Sequence, residues 1–186
     1  MKKVLFAAFL LVSSNAIFAQ VNQGQWLAGG NAGFNSWKRG DSKSTTIFVN
    51  PNVGYFFINN LAGGLRLGLE SEKVKGDEDA TVQYGVAPFV RYYFLPAAQK
   101  VNVFADASYG FDKIKQGDAK ASGNHFSIMA GPAVFLSPNT ALEFALYYSS
   151  YGGDRYENVA GDRSNNFGLS IGFQVHLGGG ASSAKK

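Results

Sequence analysis

Two histidines and no cysteine limit what chemistry this chain can carry. His125-Phe126-Ser127 sets an imidazole two residues from a hydroxyl. On a strand, residues two apart share a face, so this spacing can place a general base beside a nucleophile. Such a pair also needs an acid to orient the imidazole, and no well-placed acid follows nearby. His125 and Ser127 therefore read as two polar residues on an inner face or loop edge. His176 lies far along the chain, and two isolated histidines make no metal site. No catalytic residue, metal ligand or cofactor is expected. The remaining candidates are the strand-interior charges Arg66, Glu70, Arg91, Asp106 and Glu143, which must pair with one another if they are buried.

The elements that hold these residues follow from a period of two. Leu61, Gly63, Leu65, Leu67 and Leu69 alternate with Ala62, Gly64, Arg66, Gly68 and Glu70. The pattern returns at Ile47–Phe57, Tyr84–Phe94, Val101–Phe111, Phe126–Val134, Leu142–Tyr148 and Phe167–Leu177, and less regularly at Gln25–Asn35. Alternation over segments this long predicts strands with one apolar face. Eight such strands with almost no helical signal predict an all-β fold, an eight-stranded antiparallel up-and-down barrel. Pro51, Pro88 and Pro132 fall at like positions on strands two, four and six. Proline lacks a ladder donor, so local bulges are expected there. A period near 40 also suits a propeller blade, but each unit holds only two strands.

The second face decides where lipid lies. Its charged members are the five residues above; it is rich in glycine and has no lysine. A water-facing surface is roughly 25–35% charged, so this face suits a crowded interior. The apolar phase carries no charge at all, as the cost of roughly 2–4 kcal/mol for Arg or Lys at the bilayer midplane requires. Aromatics on that phase gather at strand ends: Trp26, Phe57, Tyr92 and Phe94 at one, Phe34, Tyr84, Phe111 and Tyr148 at the other. They read as two interfacial girdles. The barrel is thus expected to be transmembrane. A secreted lipocalin-like barrel is the alternative, prompted by Gly24-Gln25-Trp26. The lumen of eight strands has room only for side chains. Phe48, Phe56, Phe89, Tyr93, Phe104, Met129, Phe135 and Tyr147 are expected largely to fill it.

Lys2 and Lys3, the apolar run Val4–Val12 and Ser13-Ser14-Asn15 have the order of a secretory signal peptide. Cleavage after Ala19 or Ala16 fits; 1–19 is taken as the leader, 20–177 as the barrel and 178–186 as a flexible periplasmic tail. The net charge of +4 falls by two once Lys2 and Lys3 leave, and Lys185-Lys186 account for the rest. The body is neutral, so nothing points to nucleic acid. Short turns are expected at Asn59-Asn60, Pro96–Lys100 and Ser137–Thr140. Longer polar loops are expected at Ser36–Thr45, Ser71–Ala80, Asp112–Asn124 and Ser149–Asn165. An even strand number puts both termini on the short-turn, periplasmic side and the long loops outside.

Gln25-Trp26-Leu27-Ala28-Gly29-Gly30, Asn52-Val53-Gly54-Tyr55-Phe56, Pro88-Phe89-Val90-Arg91-Tyr92-Tyr93-Phe94 and Phe167-Gly168-Leu169-Ser170-Ile171-Gly172-Phe173 carry a resemblance. The chain resembles small eight-stranded outer-membrane barrels of the OmpA/OmpX type, and most of all the compact barrels common in Bacteroidetes. The resemblance implies the outer membrane of a Gram-negative cell, with lipids and lipopolysaccharide as neighbours and a larger outer-membrane complex as a further partner. It implies a structural or interaction role: envelope integrity, adhesion, or an accessory subunit. A narrow ion channel is the alternative. An envelope lipid hydrolase comes last: lipid A deacylases are eight-stranded barrels with a His-x-Ser pair, but theirs must face lipid, whereas His125 and Ser127 fall on the inward phase. Such barrels usually end on an aromatic residue, and this chain instead continues past Leu177 as Gly178-Gly179-Gly180.

Overall fold

A computed structural model describes residues 21–39, 42–76, 79–96, 99–153 and 163–178. The expected leader, 1–19, and the expected tail beyond Gly178 lie outside the described residues. Eight strands form one closed antiparallel barrel in sequence order: β1 Trp26–Arg39, β2 Ser42–Ile58, β3 Leu61–Val74, β4 Thr81–Tyr93, β5 Val101–Gln116, β6 Ala119–Ser137, β7 Thr140–Gly152 and β8 Ser164–Leu177. Each neighbouring pair is antiparallel, and β1 closes on β8. Closure leaves no unpaired sheet edge along the paired length, the one arrangement of strands that survives without water.

The period of two emerges as two surfaces. On β3, Leu65, Leu67 and Leu69 are each about half exposed on the outside, while Ala62 and Arg66 between them are buried. On β5 the alternation is unbroken from Val101 to Lys115. The closing seam is the shortest ladder: β1 and β8 pair only from Trp26–Leu177 to Ala32–Ile171. Past that point Phe34 and Leu169 are the most exposed large apolar side chains among the described residues.

Both barrel termini share one end with the β2–β3, β4–β5 and β6–β7 connections, called here the turn end. Asn60 takes the left-handed conformation there, at φ 69°, which asparagine tolerates. Its amide donates to the Val21 carbonyl at 2.9 Å, tying the segment before β1 to the β2–β3 turn.

The opposite, far end departs from expectation. Residues 36–45 and 112–124 are mostly strand: β1 and β2 pair out to Arg39–Ser42, and β5 and β6 out to Gln116–Ala119. Polarity alone had suggested loops. Past an apolar layer both faces of a strand can meet water, so alternation fades while backbone pairing continues. β6, at 19 residues, therefore far exceeds the roughly 9–11 a tilted crossing needs. The bulges expected at Pro51, Pro88 and Pro132 do not form. Register is the same on both sides of each proline, with the ladder merely interrupted. Register shifts fall instead near the turn end, at Phe56/Ile58 and Phe135/Ser137.

Glycine sets the close approaches inside. A Cβ on Gly131 would overlap the carbonyl of Phe144 and crowd the Cα of Ala145, whereas one on Gly68 would meet only Asn50 Oδ1 at 3.8 Å. Gly131→Val should therefore destabilise the barrel by about 1–3 kcal/mol. Gly68→Ala should stay within about 0.5 kcal/mol of the parent. Urea unfolding in detergent micelles, followed by the heat-modifiable gel shift, measures both.

Candidate functional site

The lumen is built in three layers. At the turn end, inward positions carry large rings. Phe56, Tyr93, Phe104, Phe135 and Leu27 are buried, with His176 among them. His176 lies 5.3 Å from the Phe135 ring, 5.6 Å from Phe56 and 5.9 Å from Tyr93, centroid to centroid. Neither of its ring nitrogens has a hydrogen-bond partner. It serves as a fifth ring in an aromatic plug.

Above the plug lies a layer of ion pairs. Arg91 and Asp106 are direct register partners on β4 and β5. Arg91 Nε donates to Asp106 Oδ2 at 3.0 Å, and its Nη1 donates to Glu143 Oε1 at 2.8 Å and Oε2 at 3.0 Å. Arg66 Nη2 reaches the same Asp106 oxygen at 2.9 Å. The Tyr93 hydroxyl donates to Glu143 Oε1 at 3.1 Å, joining this layer to the plug. The guanidiniums also lie over rings, Arg91 4.6 Å from Phe104 and Arg66 5.0 Å from Phe89. Two arginines and two carboxylates thus neutralise each other. Glu70 stands outside these ion pairs. It lies one turn of alternation nearer the far end than Gly68, on the wall of the cavity above.

That cavity is the third layer, and it corrects the expectation of a filled lumen. Phe56, Phe89, Tyr93, Phe104 and Phe135 fill the turn-end half, but Phe48, Met129 and Tyr147 only line a space of about 300 Å³ in the far half. Small inward residues leave that space: Gly68, Gly85, Ala87, Ser108, Ser127 and Ser149. Arg66 forms part of its floor. Between floor and plug, a void of about 10 Å³ beside Asn52 and Gln174 has room for no more than about one water.

The histidine reading also needs correction. An acid does stand beside His125: Asp112 Oδ2 lies 2.6 Å from its Nδ1. Asp112 precedes the histidine on β5 and was hidden by reading 112–124 as a loop. In the actual hairpin both residues point inward near the same level. The serine does not complete the set, since Ser127 Oγ hydrogen-bonds Ser149 and the Tyr148 carbonyl. Ser44 and Glu72 form a further inward pair at 2.6 Å. Among the described residues no group of three or more histidines, cysteines or acids could hold a metal.

The outer wall carries the aromatics. Trp26, Phe57, Tyr92 and Phe94 are exposed near the turn end, and Phe34, Tyr84, Phe111 and Tyr148 toward the far end. Tyr55, which the sequence reading left out of the first group, links it: its ring lies 5.2 Å from Trp26 and 5.7 Å from Phe57, both edge-on. On β4, Tyr84 and Tyr92 are about 27 Å apart along the strand, or about 21 Å at a tilt of about 40°. An apolar band of about 25 Å is what a membrane barrel requires.

Arg91→Met should cost about 3–5 kcal/mol of stability, because it leaves Asp106 and Glu143 buried without their shared partner. The combined variant Arg66→Met, Arg91→Met, Asp106→Leu, Glu143→Leu should recover much of that loss. Unfolding midpoints in urea compare the two. Equal losses would mean that the charges do not act as one neutral unit.

A family profile described as an outer membrane protein beta-barrel domain matches residues 4–179. A comparison with curated proteins finds no match. Among solved structures, the fold is similar to Neisserial surface protein A, with 15% identity, a TM-score of 0.58, and coverage of 81% of this chain and 94% of that one. It is also similar to the N-terminal β-barrel domain of Pseudomonas aeruginosa OprF, with 11% identity, a TM-score of 0.53, and coverage of 83% and 98%. At such identities the neighbours speak for the fold, while the profile spans nearly the whole chain. The chain belongs to the outer-membrane protein β-barrel family, and the outer membrane is where it resides.

Proposed function

We propose that this protein is a structural or interaction barrel with a sealed lumen, acting through its outer wall and its far-end connections. Its termini and turn end face the periplasm, its far end faces outward, and lipopolysaccharide surrounds the outer rim. Envelope integrity, adhesion and service as an accessory subunit of a larger complex all fit this reading. The observation that carries it is the layered closure of the turn-end lumen, a neutral ion-pair layer resting on packed rings. An eight-stranded barrel has little spare width to begin with. The same closure weighs against the channel reading, because an ion would have to strip its hydration shell to pass the plug. The bonding of Ser127 to Ser149 and the Tyr148 carbonyl, and of His125 to Asp112, supports a role without lipid hydrolysis.

Two measurements test the proposal. In planar bilayers the protein should show no steady conductance, and the double variant Phe56→Ala, Tyr93→Ala should introduce discrete steps by opening the plug. Steady conductance from the unaltered protein would reject the sealed lumen. Purification from native outer membranes in mild detergent, with mass spectrometry of what accompanies the barrel, separates the roles. A stoichiometric larger protein means an accessory subunit; a lone heat-modifiable monomer means a self-contained barrel.

A further inference from the structure

At the far end the described strand side chains sort acid from lysine. The acids Glu70, Glu72 and Asp112 occupy inward positions, and all three line the lumen cavity. The lysines of the same levels take the alternate positions and point outward: Lys38 on β1, Lys43 on β2, Lys73 on β3, Lys113 and Lys115 on β5, and Lys120 on β6, each exposed. They form two arcs, one across β1–β3 and one across β5–β6. Among the described lysines, only Lys100 lies at the turn end.

The arcs hold like charges face to face. Lys38 is the register partner of Lys43, and Lys115 of Lys120. Like charges directly opposite on a sheet are destabilising, so these pairs gain when an anion sits between them. Asp118, in the β5–β6 turn, and Asp79, whose carboxylate lies against Gly117, are exposed at the tip of the second arc and offset part of its charge. Three lysines there still leave an excess of positive charge. The height is set by the neighbouring aromatics. Lys113 stands two residues beyond the exposed Phe111, about 7 Å further along the strand, and the opposed Lys115 and Lys38 stand four beyond Phe111 and Phe34, about 13 Å along their strands. Aromatic rings sit at the membrane interface, so an ammonium one step beyond them lies among lipid headgroups.

We propose that these two lysine arcs bind the phosphate groups of anionic lipid in the surrounding leaflet, each arc holding phosphate between opposed lysines. This rests on the membrane-embedded reading above and adds to it the headgroup chemistry and the residues. Lysine acts at such a site as a point charge on a flexible stem, which suits a mobile headgroup.

The full-length protein and the variant Lys38→Gln, Lys43→Gln, Lys115→Gln, Lys120→Gln are inserted into phosphatidylcholine vesicles. Their unfolding midpoints are then read by heat-modifiable electrophoresis with and without phosphatidic acid in the bilayer, and with inorganic phosphate in solution. Ligand that binds the folded state raises the midpoint. Phosphatidic acid should raise that of the parent by about 3 °C or more, and this shift should be lost in the variant and kept in Lys100→Gln. In pure phosphatidylcholine the variant should be at least as stable as the parent, since its like-charge contacts are gone. The proposal falls if phosphatidic acid leaves the parent unmoved, if the variant shifts equally, or if Lys100→Gln alone abolishes the shift. An equal effect of inorganic phosphate also overturns it, by assigning the arcs to a free anion. Failure of every form to insert into neutral vesicles would count against the membrane reading itself; insertion without a lipid-specific shift counts against the arcs alone.

Discussion

A strand in a bilayer has no water to satisfy its backbone, so every amide and carbonyl in the apolar layer must find a neighbouring strand. Closure into a ring is the only way for a sheet to meet that demand, and the other features follow from it. Once eight strands close, alternate side chains have only two destinations, lipid or a narrow lumen. Leu65 and Arg66 differ by one residue and stand in two different solvents. A one-residue slip would exchange them and place a guanidinium in hydrocarbon. Register is therefore fixed by the cost of the wrong face more than by any single attractive contact.

The same constraint explains the composition of the lumen. Charges that lipid excludes are pushed inward, where they lose most of their hydration and must be compensated within a few ångströms. Asp106 is shared by two arginines and Arg91 by two carboxylates, while Arg66 and Glu143 each have one ionic partner and a hydrogen bond to a neighbouring hydroxyl, Ser108 and Tyr93. Buried ion pairs return little net stability against a well-packed apolar alternative. Their value here is positional. Arg91 and Asp106 recognise each other across β4 and β5 only in the observed register, and the layer divides a packed half of the lumen from an open one. Glycine and alanine complete the division. Where rings fill the space, small neighbours such as Gly54 and Ala62 admit them; in the far half Gly68 leaves the cavity open and Gly85 makes room for the Asp112 carboxylate.

How much of this was legible depended on whether lipid or water lay outside. In the apolar layer the sequence must alternate, and strand number, order, inward and outward faces and the aromatic ends could all be read directly. Beyond that layer alternation carries less information, and there the reading erred. Residues 112–124 are polar and predict a loop, yet Asp112–Gln116 and Ala119–Asn124 pair as strands. That error concealed the Asp112–His125 contact, which follows at once when the hairpin is folded about Gly117-Asp118. Five strand-interior charges predict one network; the geometry joins four, because the ion pairs link Arg66 and Arg91 to Asp106 and Glu143 while Glu70 lines the cavity nearer the far end. The prolines misled for another reason. A missing donor was expected to force an extra residue into the strand, but the ladder tolerates a local gap when the strands on both sides remain in register.

Alternation that becomes uninformative about secondary structure at the far end remains informative about charge. Inside the apolar layer, position selects between charged and uncharged residues. Outside it, both faces accept charge, and among the described side chains the selection that remains separates acids from lysines: Glu70, Glu72 and Asp112 inward, lysines outward. Solvation alone gives no reason for that sorting, since water accepts either sign on either face. Mutual stabilisation gives none at the opposed pairs, where the outward register sets Lys38 against Lys43 and Lys115 against Lys120. A sign preference that the fold does not require points to a field outside the fold. For a barrel held at a fixed height by two aromatic belts, the charged medium in contact with that part of the wall is the headgroup layer.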